Sequence, residues 1–150
     1  MTNNSKKIIN LKNIRSTIIL GENLSSLIHS CKIFCIKGKL GVGKTTLAKG
    51  FISKLTGVQN IQSPTFPLLL TYDLKDNLIC HYDLYRLKSS HEIWNINIED
   101  ALNNNIVIIE WPEIIENLLP KNKITITLNE VDSEYRTADI IGNKNLLNLL

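Results

Sequence analysis

The stretch Gly38-Lys39-Leu40-Gly41-Val42-Gly43-Lys44-Thr45 fits the pattern G-x-x-x-x-G-K-[ST], and its chemistry is the capture of phosphate. Glycines let the backbone turn its N–H groups inward as a nest for an anion, and a helix starting there aims the positive end of its dipole at the same point. In such a loop Lys44 reaches the β- and γ-phosphates and the Thr45 hydroxyl is a ligand for Mg²⁺. Gly38, Leu40, Gly41, Val42, Gly43 and Thr46 complete the expected nucleotide-binding set. Mg²⁺ prefers octahedral oxygen and commonly adds a carboxylate to phosphates and waters, so an acid is expected nearby. Two acids end apolar runs: Asp83 after Leu78-Ile79-Cys80-His81-Tyr82, and Glu110 after Ile106-Val107-Ile108-Ile109. A solvated acid at a strand end is the bland alternative for either one alone. We assign the metal to Glu110, because its run is the more hydrophobic and so belongs more centrally in a sheet. Asp83 stays open between metal ligand and water-positioning group. Lys44, Asp83 and Glu110 are the candidate residues for phosphate chemistry, with Mg²⁺ expected beside the phosphates.

These residues need elements to hold them. The run Ile33-Phe34-Cys35-Ile36 shows no polar alternation and stops at Gly38, which predicts a strand covered on both faces. A helix is predicted from Lys44 to about Leu55, ended by Gly57 as a left-handed cap. Earlier, a strand near Lys7–Leu11 and an amphipathic helix from about Arg15 to His29 are predicted. Leu68–Asp73 and Leu78–Asp83 flank Lys75-Asp76-Asn77 and read as a β-hairpin. A helical stretch around Ser90–Leu102, a buried strand at Ile106–Ile109, a short helix at Glu113–Asn117, strands at Lys123–Leu128 and Tyr135–Ile141, and an apolar C-terminal turn follow. The expected fold is α/β: a P-loop NTPase-like three-layer arrangement with a mixed, mostly parallel central sheet and a β-hairpin. Between the helix and the hairpin, Ser63-Pro64-Thr65-Phe66 stands where many P-loop proteins carry a loop that senses the γ-phosphate. A plain Ser-Pro turn is the alternative there.

The 150 residues are 43% apolar and 21% charged, ordinary for one globular unit, and a single domain over 1–150 is expected. Apolar runs are far shorter than the ~20 residues that span a bilayer. The N-terminal stretch Met1–Asn10 has lysines but no apolar core of about 7–15 residues, so a cytoplasmic location is expected. Cys31, Cys35 and Cys80 are odd in number without CxxC spacing, which speaks against disulfides or zinc. The formal charge of +3 comes from scattered lysines, so nucleic-acid binding does not follow from charge.

Four blocks in order, Gly41-Val42-Gly43-Lys44-Thr45-Thr46-Leu47, Ser63-Pro64-Thr65-Phe66, His81-Tyr82-Asp83-Leu84-Tyr85-Arg86-Leu87 and Ile109-Glu110-Trp111-Pro112-Glu113, resemble the bacterial TsaE (YjeE) family over about Cys31–Pro120. The resemblance implies a small P-loop ATPase that serves TsaB and TsaD in making N6-threonylcarbamoyladenosine beside the anticodon of tRNAs reading codons that begin with A. It implies contact with tRNA only through that complex, and no membrane. It places Lys44 and Thr45 on phosphate and Mg²⁺, Glu110 on the metal, Asp83 as a second essential acid, Thr65 in the switch-like loop and Trp111 beside the nucleotide. Against the family pattern, Lys39 and Val42 replace the commoner Asp and Ala, Pro67 stands where a hydroxyl is usual, and Asn97 replaces an expected Gly.

Other classes fit less well. A small-metabolite kinase carries an arginine-rich lid, and the arginines here are Arg15, Arg86 and Arg136 alone. A GTPase needs N-K-x-D, which neither Asn122-Lys123-Ile124-Thr125 nor Asn143-Lys144-Asn145-Leu146 supplies. A nucleotide-binding adaptor without hydrolysis differs by producing no ADP when its partners are present.

Overall fold

In the computed structural model, residues 3–150 are described, so the first two residues of the N-terminal stretch lie outside it. The elements run β1 (Asn4–Leu11), α1 (Ile14–Ser25), β2 (Ile33–Lys37), α2 (Lys44–Thr56), β3 (Leu69–Asp73), β4 (Leu78–Asp83), a 3-10 segment (Ser90–Ile96) and α3 (Ile98–Asn104). They continue with β5 (Ile106–Glu110), a second 3-10 segment (Pro112–Leu118), β6 (Ile124–Glu130), β7 (Arg136–Asn143) and α4 (Lys144–Leu147).

The strands form one sheet in the order β1-β7-β6-β2-β5-β4-β3. Its centre, β6-β2-β5-β4, is parallel, while β3 closes one edge antiparallel and β7 with β1 the other. Parallel strands are covered on both faces, which is why β2 and β5 are apolar at nearly every position. Their side chains alternate: Phe34, Ile36, Ile106 and Ile108 join the layer of α1 and α2. Ile33, Cys35, Val107 and Ile109 join the opposite layer, with Ile93, Ile98, Ala101 and Ile115 from α3 and the two 3-10 segments. This is the expected three-layer α/β fold with its hairpin, β3 pairing β4 from Asp73↔Leu78 to Leu69↔Tyr82.

Element ends depart from the sequence reading where polar side chains compete for the backbone. The α-helix ends at Ser25 rather than near His29, because Ser25 Oγ donates to Glu22 O at 2.5 Å and Ser26 Oγ to Asn23 O at 2.7 Å. The stretch expected as one helix around Ser90–Leu102 is split at Asn97, whose φ of 56° is left-handed. Asn tolerates that conformation better than most residues. The region at Glu113–Asn117 is a 3-10 turn, and the C-terminal turn contains α4. All three cysteines are free and buried, and burial pushes the Cys35 thiol up to about 12. Among the described residues no helix is long and apolar enough to cross a membrane.

Helix α2 carries Lys44 and Thr45 on its first turn, so whatever fixes α2 fixes the site. A close crossing with α1 does this. A Cβ added at Gly21 would lie 2.1 Å from Leu47 O, and one at Gly50 would lie 2.4 Å from Ile18 O, so each helix presents a glycine to the other's backbone. Gly21→Ala therefore destabilises the fold by about 1–3 kcal/mol through overpacking, although alanine alone favours helix by about 1 kcal/mol. Urea unfolding checks this, with a lowered midpoint at unchanged slope expected and an equal or raised midpoint showing that the helices do not meet there.

Candidate nucleotide site

The register of the parallel strands sets out the site. Ile36 on β2 faces Glu110 on β5, and Glu110 faces Asp83 on β4, so the two acids stand in one row at the carboxyl end of the sheet. Alternation along the strands turns Glu110 with Ile106 and Ile108, and Asp83 with Ile79 and His81, toward the α2 layer. That is the layer into which the chain leaves β2 through the glycine loop. Gly41 and Gly43 take φ of 78° and 119°, a region L side chains rarely adopt, and the loop passes directly into α2.

Lys44 is buried at 4% exposure, yet its ammonium is fully engaged. Nζ donates to Gly38 O and Lys39 O at 2.7 Å each and lies 4.1 Å from the centre of the Trp111 ring. Burial lowers its pKa, opposed by the charges of Glu110, Asp83 and Glu113. The Thr45 hydroxyl donates to Glu110 Oε1 at 2.7 Å. Glu110 Oε2 is 2.6 Å from His81 Nε2. The Thr65 hydroxyl donates to Asp83 Oδ2 at 2.7 Å, and the Tyr85 N–H donates to Asp83 Oδ1 at 3.0 Å. Trp111, left-handed at φ 59°, leans on Tyr85 with ring centres 4.9 Å apart.

Of the residues picked from the sequence, Leu40, Gly41, Gly43, Lys44, Thr45, Thr46, Thr65, Asp83, Glu110 and Trp111 line one cleft of about 210 Å³. Gly38 lies behind it as an acceptor for Lys44. Val42 is buried outside this cleft and lines the adjoining cavity instead, and a Cβ at Gly38 would come within 2.7 Å of its Cγ1. Lys39 pairs with Glu130.

Two features escaped the sequence reading. A cavity of about 470 Å³ adjoins the loop, sharing Gly41, Gly43 and Thr46 with the cleft and adding Asn13, Arg15, Thr17, Glu134 and Arg136. Only the scarcity of arginine could have singled out Arg15 and Arg136. His81, to which the sequence reading assigns no role, is fully buried against Glu110, and its Nδ1 has no hydrogen-bond partner. Its place two residues before Asp83, on the same strand face, was the available signal.

With this geometry in hand, the comparisons with known proteins decide the family. A family model described as "Threonylcarbamoyl adenosine biosynthesis protein TsaE" matches residues 11–138. The chain belongs to the TsaE family. A Rickettsia felis protein named tRNA threonylcarbamoyladenosine biosynthesis protein TsaE is 40% identical over 141 residues, covering 93% of this chain and 82% of the relative. A Bacillus subtilis protein of the same name is 28% identical over 115 residues, covering 75% and 72%. The crystal structure of Bacillus subtilis YdiB matches with a TM-score of 0.73 at 21% identity, over 97% of this chain and 92% of that one, and shows the same fold.

In this TsaE-family chain the indole of Trp111 sits against Lys44, the residue a phosphate would draw away. Emission of Trp111 in a Trp94→Phe background is expected to change and saturate as Mg-ADP is added. Emission that stays constant at saturating Mg-ADP would show that Trp111 is ordinary packing.

Proposed function

We propose that this chain binds ATP with Mg²⁺ in the cleft and hydrolyses it, in the service of TsaB and TsaD and hence of N6-threonylcarbamoyladenosine formation on tRNA, which it meets only through that complex. The observation that carries the reading is the meeting of the Thr45 hydroxyl and the Glu110 carboxyl, 2.7 Å apart at the mouth of the glycine loop. These are hard oxygen donors suited to Mg²⁺. Mg²⁺ commonly takes one or two protein oxygens and its remaining ligands from phosphate and water. When bound, Mg²⁺ supplies positive charge against the phosphate oxygens.

The chain's own residues do the rest. Loop N–H groups and the start of α2 hold the phosphates, and Lys44 exchanges the Gly38 and Lys39 carbonyls for phosphate oxygen. Thr45 and Glu110 hold the metal side. Asp83, bonded to Thr65 rather than to Thr45, positions the attacking water. The cavity with Arg15 and Arg136 takes the base and ribose. The non-hydrolysing adaptor is the less favoured reading, because two acids beside a P-loop exceed what binding needs.

The isosteric pair Glu110→Gln and Asp83→Asn separates these roles. Calorimetry on ADP is expected to show that Mg²⁺ no longer tightens binding to Glu110→Gln. The loss corresponds to a charged contact of about 1.5–3 kcal/mol. Asp83→Asn is expected to keep that Mg²⁺ effect while losing hydrolysis. Equal Mg²⁺ dependence in wild type and Glu110→Gln would move the metal to Asp83.

A further inference from the structure

We propose that Arg86 is a positioning residue that holds Thr65 against Asp83, not a cation that reaches the nucleotide; the inference rests on the ATPase reading above. The residue lies on the turn that follows β4, three positions after Asp83. Its Nε donates to Thr65 O at 2.8 Å, a terminal nitrogen donates to Phe66 O, and the guanidinium carbon lies 5.4 Å from the centre of the Phe66 ring. One planar fork thus grips two successive carbonyls and the ring of the second residue, a task a lysine ammonium does not match.

The segment it grips has little means of holding itself. Pro64 and Pro67 bring no N–H donors, and neither Thr65 nor Phe66 belongs to a helix or strand. Phe66 is 81% exposed, so burial does not anchor the loop either. What remains is polar: Leu68 N–H donates to Pro64 O at 2.7 Å, and the Ser63 hydroxyl lies 2.8 Å from that of Thr65. The Thr65 hydroxyl gives its proton to Asp83, so the Ser63 hydroxyl donates to Thr65. Asp83 returns the tie, its N–H donating to Leu68 O at 3.0 Å. The turn Asp83–Arg86 therefore clasps the loop from both sides of Thr65, by the Asp83 carboxyl on its side chain and by Arg86 on its carbonyl. For Arg86 to reach a phosphate it would have to release both carbonyls. The arginine in the motif is occupied as a clasp.

Hydrogen exchange on the nucleotide-free protein tests this without any catalysis. In Arg86→Ala the amides of Thr65 and Leu68 are expected to exchange at least about tenfold faster, with the P-loop amides unchanged. Arg86→Gln, which keeps one donor, falls between, and a thermal melt confirms that both variants are folded. In single-turnover hydrolysis Arg86→Ala is expected to lose at least about tenfold in rate while ADP affinity stays within about twofold. If Arg86 acts through Thr65, the double variant Arg86→Ala/Thr65→Val is no slower than the slower single variant. Unchanged exchange at Thr65 and Leu68, or losses that multiply in the double variant, would overturn the clasp and make Arg86 a direct cation. Absence of hydrolysis in the wild type would overturn the ATPase reading instead, and the exchange result would still decide the clasp.

Discussion

The carboxyl of Glu110 is the group the rest of the site depends on. It has 1% of its surface exposed and ends a strand of four apolar residues, where an unpaired polar group would cost several kcal/mol. Both oxygens are satisfied, one by the Thr45 hydroxyl on α2 and the other by the His81 imidazole on β4. Three elements far apart in sequence are thereby tied at one point. Removing either partner leaves the carboxyl short of a bond in a buried place, so the same constraint that fixes the fold also fixes the candidate metal ligand.

That point sits at the carboxyl ends of β2, β5 and β4, where open α/β sheets bind their ligands. The parallel register puts Ile36, Glu110 and Asp83 side by side. The contact of α1 and α2 through Gly21 and Gly50 then sets the start of α2 over the row. Positioning of this kind is what phosphoryl transfer chiefly asks of a protein, since little covalent chemistry falls to its side chains.

Much of this was legible in the sequence, for identifiable reasons. The glycine loop announces itself through local backbone requirements, and the ends of β4 and β5 through apolar runs that stop at an acid. Placing Glu110 nearer the middle than Asp83 followed from hydrophobicity, and β5 does adjoin β2. Asn97, standing where the family pattern expects Gly, takes the left-handed conformation that a Gly would. What was not legible depends on register and tertiary approach. His81 meets Glu110 only because β4 lies parallel to β5 in one particular register. Arg86 meets Thr65 across 21 positions of chain, and no local pattern marks that approach. The cavity beside the loop joins Asn13 to Arg136, from opposite ends of the sequence.

If the chain hydrolyses ATP, one demand is not met among the described arginines. Fast phosphoryl transfer commonly uses a cation on the developing γ-phosphate charge, beyond the loop lysine and the metal, worth about 10³–10⁵ in rate. Arg86 is clasped to the 63–66 loop, Arg136 donates to Val42 O, Asp132 O and Tyr135 O, and Arg15 lines the cavity beside the loop rather than the cleft of Lys44, Thr45 and Glu110. Under the proposed function, docking to TsaB and TsaD would complete the site. Steady-state ATP turnover, measured for the protein alone and with both partners added, tests this most directly. A slow basal rate that rises at least about tenfold, or ~1.4 kcal/mol in barrier, is the predicted result. Turnover near the enzyme median of ~10 s⁻¹ by the isolated chain, indifferent to TsaB and TsaD, would contradict it.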